Sequence, residues 1–175
     1  MRASVFILLL LTMNTFTLFD FTTSSSTEDW RIIDDVVMGG RSNGSFEISK
    51  EGHGTFSGYV SLENNGGFSS LRYNFKTKDV SSYSKVKLRI KGDGKTYQFR
   101  VKQSSQDYAS YIYEFETSSD WMTIEIPFEV MNPAFRGQRL RMPNFKGEQM
   151  EEIGFLIGNK KEQSFELLID KIELE

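Results

Sequence analysis

The chain has 175 residues, with 24 Asp and Glu against 21 Lys and Arg, a single His and no Cys. That length suits one domain with its own core, and the slight acidity offers no broad attraction to nucleic acid or an anionic membrane. A lone histidine without cysteine excludes thiol catalysis, disulfides, cysteine zinc sites and multi-histidine metal clusters.

Arg2 and the apolar run 5–11 have the charge and hydropathy order of a secretory signal. The run is too short to span a bilayer, and no small-residue cleavage site follows it. With only one Arg, a mitochondrial transit peptide is less favoured. Residues 1–16 are therefore expected to lie outside a single folded domain over 17–175. The domain is exported or periplasmic if this segment is a signal, and cytoplasmic otherwise.

Thr17 to Phe21 reads as a short strand and 22–29 as a Ser- and Thr-rich loop. Weaker strand-like segments centre on Trp30, Phe46, Phe56, Leu71 and Phe155. The pair Asn43-Gly44 is a hairpin signal that, with Ser45, also matches a glycosylation acceptor, and Glu51-Gly52-His53-Gly54 reads as a turn in which His53 has no role.

From Lys85 the alternation is strict, with Val86, Leu88 and Ile90 on one side and Lys85, Lys87, Arg89 and Lys91 on the other. After Gly92-Asp93-Gly94, Tyr97, Phe99 and Val101 oppose Gln98, Arg100 and Lys102. The two runs are expected to form a hairpin with one buried and one cationic face. The glycine turn lacks the final glycine and the helix of a dinucleotide-binding motif.

Tyr111, Tyr113 and Phe115 alternate next, then Ile124, Ile126 and Phe128, with Pro127 and Pro133 marking departure into a loop. The stretch 131–150 is the least regular and reads as a functional or covering loop. Phe165, Leu167 and Ile169 alternate until the phase slips at Lys171 and Ile172, as at a β-bulge. Together these runs predict an all-β sandwich or jelly roll of about ten short antiparallel strands. Trp30 and Trp121 each precede an apolar run, which favours core packing over a role as stacking platforms.

Three segments stand out. They are Trp30-Arg31-Ile32-Ile33-Asp34-Asp35-Val36-Val37-Met38-Gly39-Gly40-Arg41-Ser42, then Asn64-Asn65-Gly66-Gly67-Phe68-Ser69-Ser70-Leu71-Arg72, then Pro133-Ala134-Phe135-Arg136-Gly137. In that order they resemble the motifs of the complex I intermediate-associated protein family, over the chain from about Phe19 to its end. The resemblance implies a galactose-binding-like β-sandwich and, from the mitochondrial members, an assembly factor or chaperone for respiratory complex I.

The candidate binding residues are Asp34, Asp35, Arg41, Asn64, Asn65, Arg72, Phe135 and Arg136. Asp34 and Asp35 fit a general acid–base pair, hard oxygen ligands for a cation such as calcium, or acceptors for the backbone N–H groups of Met38-Gly39-Gly40. Neighbours in an extended segment point to opposite faces, which favours the last. Gly39-Gly40 and Gly66-Gly67 permit either close approach of a ligand or a positive φ. The arginines can fork onto a partner's carboxylate or onto Asp34 or Asp35.

No nucleophile, base and oxyanion donor form a set, so no catalytic residue and no cofactor are expected, and a bound cation is left open. The expectation is a non-catalytic protein-binding module with membrane-complex subunits as partners, and neither nucleic acid nor a transmembrane span. The alternative is a jelly-roll carbohydrate-binding module.

Overall fold

The computed structural model describes residues 14–175; the apolar run 5–11 lies outside them. Among the described residues, thirteen strands form two antiparallel sheets packed face to face, against the roughly ten expected.

The first sheet is built on β13 (Gln163–Leu174), flanked by β4 (Gly54–Val60) and β6 (Lys85–Lys91). Beyond these lie β3 (Asn43–Ile48) and β9 (Met122–Pro127), and β1 (Phe16–Asp20) pairs with the end of β13. The second sheet is built on β12 (Gln149–Ile157), between β5 (Ser69–Asp79) and β7 (Thr96–Lys102). β2 (Trp30–Asp34) adds to β5, and β8 (Ser110–Glu116), β10 (Asn132–Phe135) and β11 (Gln138–Arg139) follow β7 to the other edge. The last two strands of the chain are thus inner strands of the two sheets.

Alternation explains the core. Val86, Leu88 and Ile90 of β6, Tyr97 and Phe99 of β7, Ile153 and Phe155 of β12, and Leu167 and Ile169 of β13 are all buried. They fill the space between the sheets, and Phe99 meets Phe155 at 5.4 Å between ring centroids. The phase slip near Lys171 is a register shift between Ile169 and Lys171 where β13 pairs with β6, a bulge as expected.

The hairpin expected from Lys85 to Lys102 is not one. β6 lies in the first sheet and β7 in the second, so Gly92-Asp93-Gly94 carries the chain across the sandwich. The apolar sides of both strands still turn inward, but the cationic sides point out from opposite faces and form no common surface. Asp93 fastens this crossing by accepting from the Glu166 amide, the Tyr97 hydroxyl and the Lys95 ammonium. Asn43-Gly44 also departs from expectation, since both residues lie within β3 and pair with Tyr59 and Gly58. Pro133 sits inside β10, next to β8, rather than in a loop.

At one end, Trp30 stacks on Tyr73 at 4.7 Å and meets Phe19, Phe21 and Phe46 at 5.3, 5.4 and 5.2 Å. These rings come from both sheets and close the sandwich there. Trp121, expected in the core, is partly exposed beside His53, at 4.6 Å between ring centroids.

Candidate functional site

The first two sequence motifs converge on one buried carboxylate. β2 ends at Asp34, the chain makes a 3-10 turn over Asp35–Met38, and Gly39 reverses it at φ +91°, a conformation costly for any residue with a Cβ. Asp35 is 0% exposed. Its Oδ1 accepts the Ser42 amide at 2.9 Å, and its Oδ2 accepts the Ser42 hydroxyl and the amides of Gly67 and Phe68. Burial pushes the Asp35 carboxyl up, but the bonds from Ser42, Gly67 and Phe68 together outweigh it and hold its pKa below the ordinary carboxylate value.

The neighbouring glycines exist for this carboxylate. A Cβ on Gly40 or on Gly66 would overlap the Asp35 side chain. Of the two readings of the glycine pairs, close approach applies to Gly40 and Gly66, although what approaches is the chain's own Asp35. Asp34 points elsewhere and accepts the Gly44 amide at 2.8 Å. The aspartates thus bind backbone N–H groups, but those of Ser42, Gly44, Gly67 and Phe68 rather than of Met38-Gly39-Gly40. They do not converge on one point as an acid–base pair would, and the buried Asp35 carboxylate already accepts four hydrogen bonds from its own chain.

Asn64 and Asn65 sit at φ 54° and 61°, in the left-handed region that Asn tolerates, and the Asn64 amide donates to the Gly39 carbonyl at 3.1 Å. Arg41 pairs with Glu63 at 2.9 Å, not with either aspartate. Both side chains are largely exposed, so Arg41→Ala is expected to change unfolding free energy by less than about 1 kcal/mol in denaturant titration.

This knot holds an apolar tip in solvent. Val36, Val37 and Met38 are 59, 72 and 59% exposed, and Leu62 beside Gly67 is exposed too. The third motif is remote. Phe135 and Arg136 lie at the β10–β11 hairpin, on the opposite edge of the second sheet from β2. There the Phe135 ring meets Tyr108 at 5.4 Å, and Arg136 lies over Phe135 at 5.2 Å. Arg72 belongs to neither group. It projects from the outer face of β5, 3.9 Å from Glu152.

The candidates therefore divide into a knot (Asp34, Asp35, Arg41, Asn64, Asn65), a sheet-face position (Arg72) and a hairpin (Phe135, Arg136). Sequence reasoning missed Ser42, whose hydroxyl and amide both serve Asp35, and the apolar tip. A run of three apolar residues between two aspartates and two glycines was the available signal for the tip. Among the described residues, no group of three or more His, Asp or Glu side chains is arranged to hold a metal ion. No helix among them is long and apolar enough to cross a membrane.

Two antiparallel sheets with this strand order, closed over one aromatic core, make a jelly-roll β-sandwich of the kind found in carbohydrate-binding modules. A family 11 carbohydrate-binding module from Clostridium thermocellum, in complex with a β-1,3-1,4-mixed-linked tetrasaccharide, superposes with a TM-score of 0.65 at 21% identity, covering 91% of this chain and 94% of that one. The family 11 module of the cellulosomal cellulase Lic26A-Cel5E from the same organism gives 0.66 at 19% identity, over 93% and 95% of the two chains. An agarase, AgWH50C, matches over 93% of this chain but 25% of its own, at 12% identity and a TM-score of 0.64. These likenesses establish the fold. Comparison with curated proteins finds no match. The family model for complex I intermediate-associated protein 30 (CIA30) matches residues 19–169, and the chain belongs to that family.

Proposed function

We propose that this chain is a non-catalytic protein-binding module of the assembly-factor type, which docks on an apolar segment of a membrane-complex subunit. The observation that carries this reading is the tip Val36-Val37-Met38, three consecutive exposed apolar side chains. Exposed apolar groups of this kind are uncommon on a surface that binds nothing. The Asp35 knot fixes the turn beforehand, so a partner need not order it, which lowers the entropic cost of docking. Membership of the CIA30 family supports the same reading.

The test is affinity capture from native cells, followed by mass spectrometry, with the wild-type chain and a Val37→Asp/Met38→Asp variant. Both positions are exposed, so the variant is expected to keep its thermal stability and lose at least ten-fold in partner recovery. Recovery of no partner above background, or equal recovery by both proteins, would sink the reading.

The fold's likeness to carbohydrate-binding modules supports a second reading, saccharide binding, in which the sheet face rather than the tip is the working surface. Saturable binding on a glycan array, lost in a folded Arg72→Ala variant and kept in the tip variant, would select it.

A further inference from the structure

The two outer faces of the sandwich treat their cations differently. On the first sheet three of the four cations of β6, all but Lys91, are paired with carboxylates. Lys85 lies 2.8 Å from Glu125 and 3.1 Å from Glu175, Lys87 lies 3.0 Å from Glu175, and Arg89 lies 3.1 Å from Asp170.

On the second sheet, register places Arg31 directly opposite Arg72, Arg72 opposite Gly154, and Gly154 opposite Arg100. Three arginines from four adjacent strands thus share one face, in a row interrupted only by a residue without a side chain. Like charges directly opposite on a sheet are destabilising. Only Glu152 is near enough to offset them, at 3.9 Å from Arg72, and among the described residues neither Arg31 nor Arg100 has an ion-pair partner. Burial, then the neighbouring Arg72, lowers the Arg100 pKa to about 10, against the opposing pull of Glu152, so the Arg100 guanidinium is still charged at neutral pH.

The same face carries unfilled hydrogen-bonding capacity. Ser70 and Asn74 flank Arg72 on β5 and pair with Leu156 and Glu152 of β12, so they project with it. Ser70 Oγ and Asn74 Oδ1 are buried and have no partner, which is costly in a folded protein unless something fills them. The oxygens of a carboxylate such as that of Glu152 accept hydrogen bonds. The arginines call for an anion, and Asn74 and Glu152 call for O–H or N–H donors. A carboxylate side chain of a protein partner answers the first demand and not the second. A hydroxylated carboxylic acid answers both.

We infer that the outer face of the second sheet, around Gly154, binds acidic saccharides, with Arg72 and Arg100 holding uronate carboxylates and Ser70, Asn74 and Glu152 receiving sugar hydroxyls. This rests on the saccharide reading and not on the tip. The rings of β7 and β8 (Tyr97, Phe99, Tyr111, Tyr113 and Phe115) lie on the inward side of the register, opposite Arg100 and Ile112. Recognition on this face is therefore by charge and hydrogen bonds rather than by stacking.

The test is calorimetric titration of the full chain with tetramers of galacturonate, of guluronate and of the glucuronate-containing hyaluronan repeat. Each is compared with its methyl-esterified form, which keeps the hydroxyls and loses the charge, and with sodium sulfate. At least one acid tetramer is expected to bind saturably, at least ten-fold more tightly than its ester, and to weaken as salt rises. Arg100→Met and Arg72→Met, each checked for folding by circular dichroism, are expected to cost a further ten-fold or more. Equal binding of acid and ester would overturn the inference yet leave the saccharide reading standing. Binding of none of the tetramers, on an array that still shows a neutral glycan bound, would do the same, and with no glycan bound both fail. Displacement by sulfate at the same concentration as by the tetramer would reduce the face to a simple oxyanion site and overturn the saccharide inference.

Discussion

Asp35→Ala is expected to lower the unfolding free energy by about 3 to 5 kcal/mol in urea titration, among the largest losses available to a single substitution. The side chain is 0% exposed and receives the Ser42 amide and hydroxyl and the Gly67 and Phe68 amides. Its removal leaves those donors facing a void that only a water could fill. Asp35→Asn, nearly isosteric, is expected to do little better, because its NH2 group would meet amides that also donate.

The folded-state pKa lies below the ordinary carboxylate value of 3.8. The charged form therefore favours folding, and its contribution is complete above about pH 5 and lost as pH falls through the folded pKa. The stability gap between wild type and Asp35→Ala should be flat from neutrality to about pH 5 and narrow below about pH 4. A gap that widened toward acid would show that burial, not hydrogen bonding, governs this carboxyl.

Trp30→Ala is expected to cost a similar amount, about 3 to 5 kcal/mol. The indole stacks on Tyr73 at 4.7 Å and touches Phe19, Phe21 and Phe46, so its loss opens a cavity between the two sheets at the end they share with β1. Trp30→Phe keeps part of the contact and should lose about half as much. The chain has two tryptophans, so the fluorescence remaining in either variant reports the partly exposed Trp121 alone, and thermal unfolding followed by circular dichroism measures the stability.

Much of the sandwich was legible because period-2 alternation assigns each side chain to a face. Val86, Leu88, Ile90, Tyr97, Phe99 and Val101 are all buried as their spacing requires. Alternation does not say which strand lies beside which. Gly92-Asp93-Gly94 is compatible both with a tight hairpin and with a crossing between sheets, and the residue that decides it, Glu166, lies 73 positions from Asp93. Asn43-Gly44 failed for a related reason: its turn preference is local, and pairing with Tyr59 and Gly58 overrides it. The short β10 and β11 escaped notice because two to four residues carry too little pattern, which accounts for part of the excess of strands over the expected number.

The candidate residues show the same limit. That Asp34 and Asp35 bind backbone amides followed from turn chemistry, but the amides that Asp35 binds are 7, 32 and 33 positions away. The arginine row could not be read at all. Arg31, Arg72 and Arg100 become neighbours only once β2, β5, β12 and β7 are set side by side.

The position of β12 and β13 governs how this chain can be made. Each is an inner strand of its sheet, yet of the thirteen described strands they are the last to leave the ribosome. Until they emerge, β5 and β7 have no strand to join them, and neither do β4 and β6. The nascent chain therefore carries four unpaired strand edges and a split apolar core through most of translation. Folding of this domain must wait for β12 and β13 and then complete many long-range pairings at once, the slow regime for a β-protein. A ribosome that stops before residue 149 releases a polypeptide with exposed edges and no means of closing either sheet, a substrate for holding chaperones and for degradation.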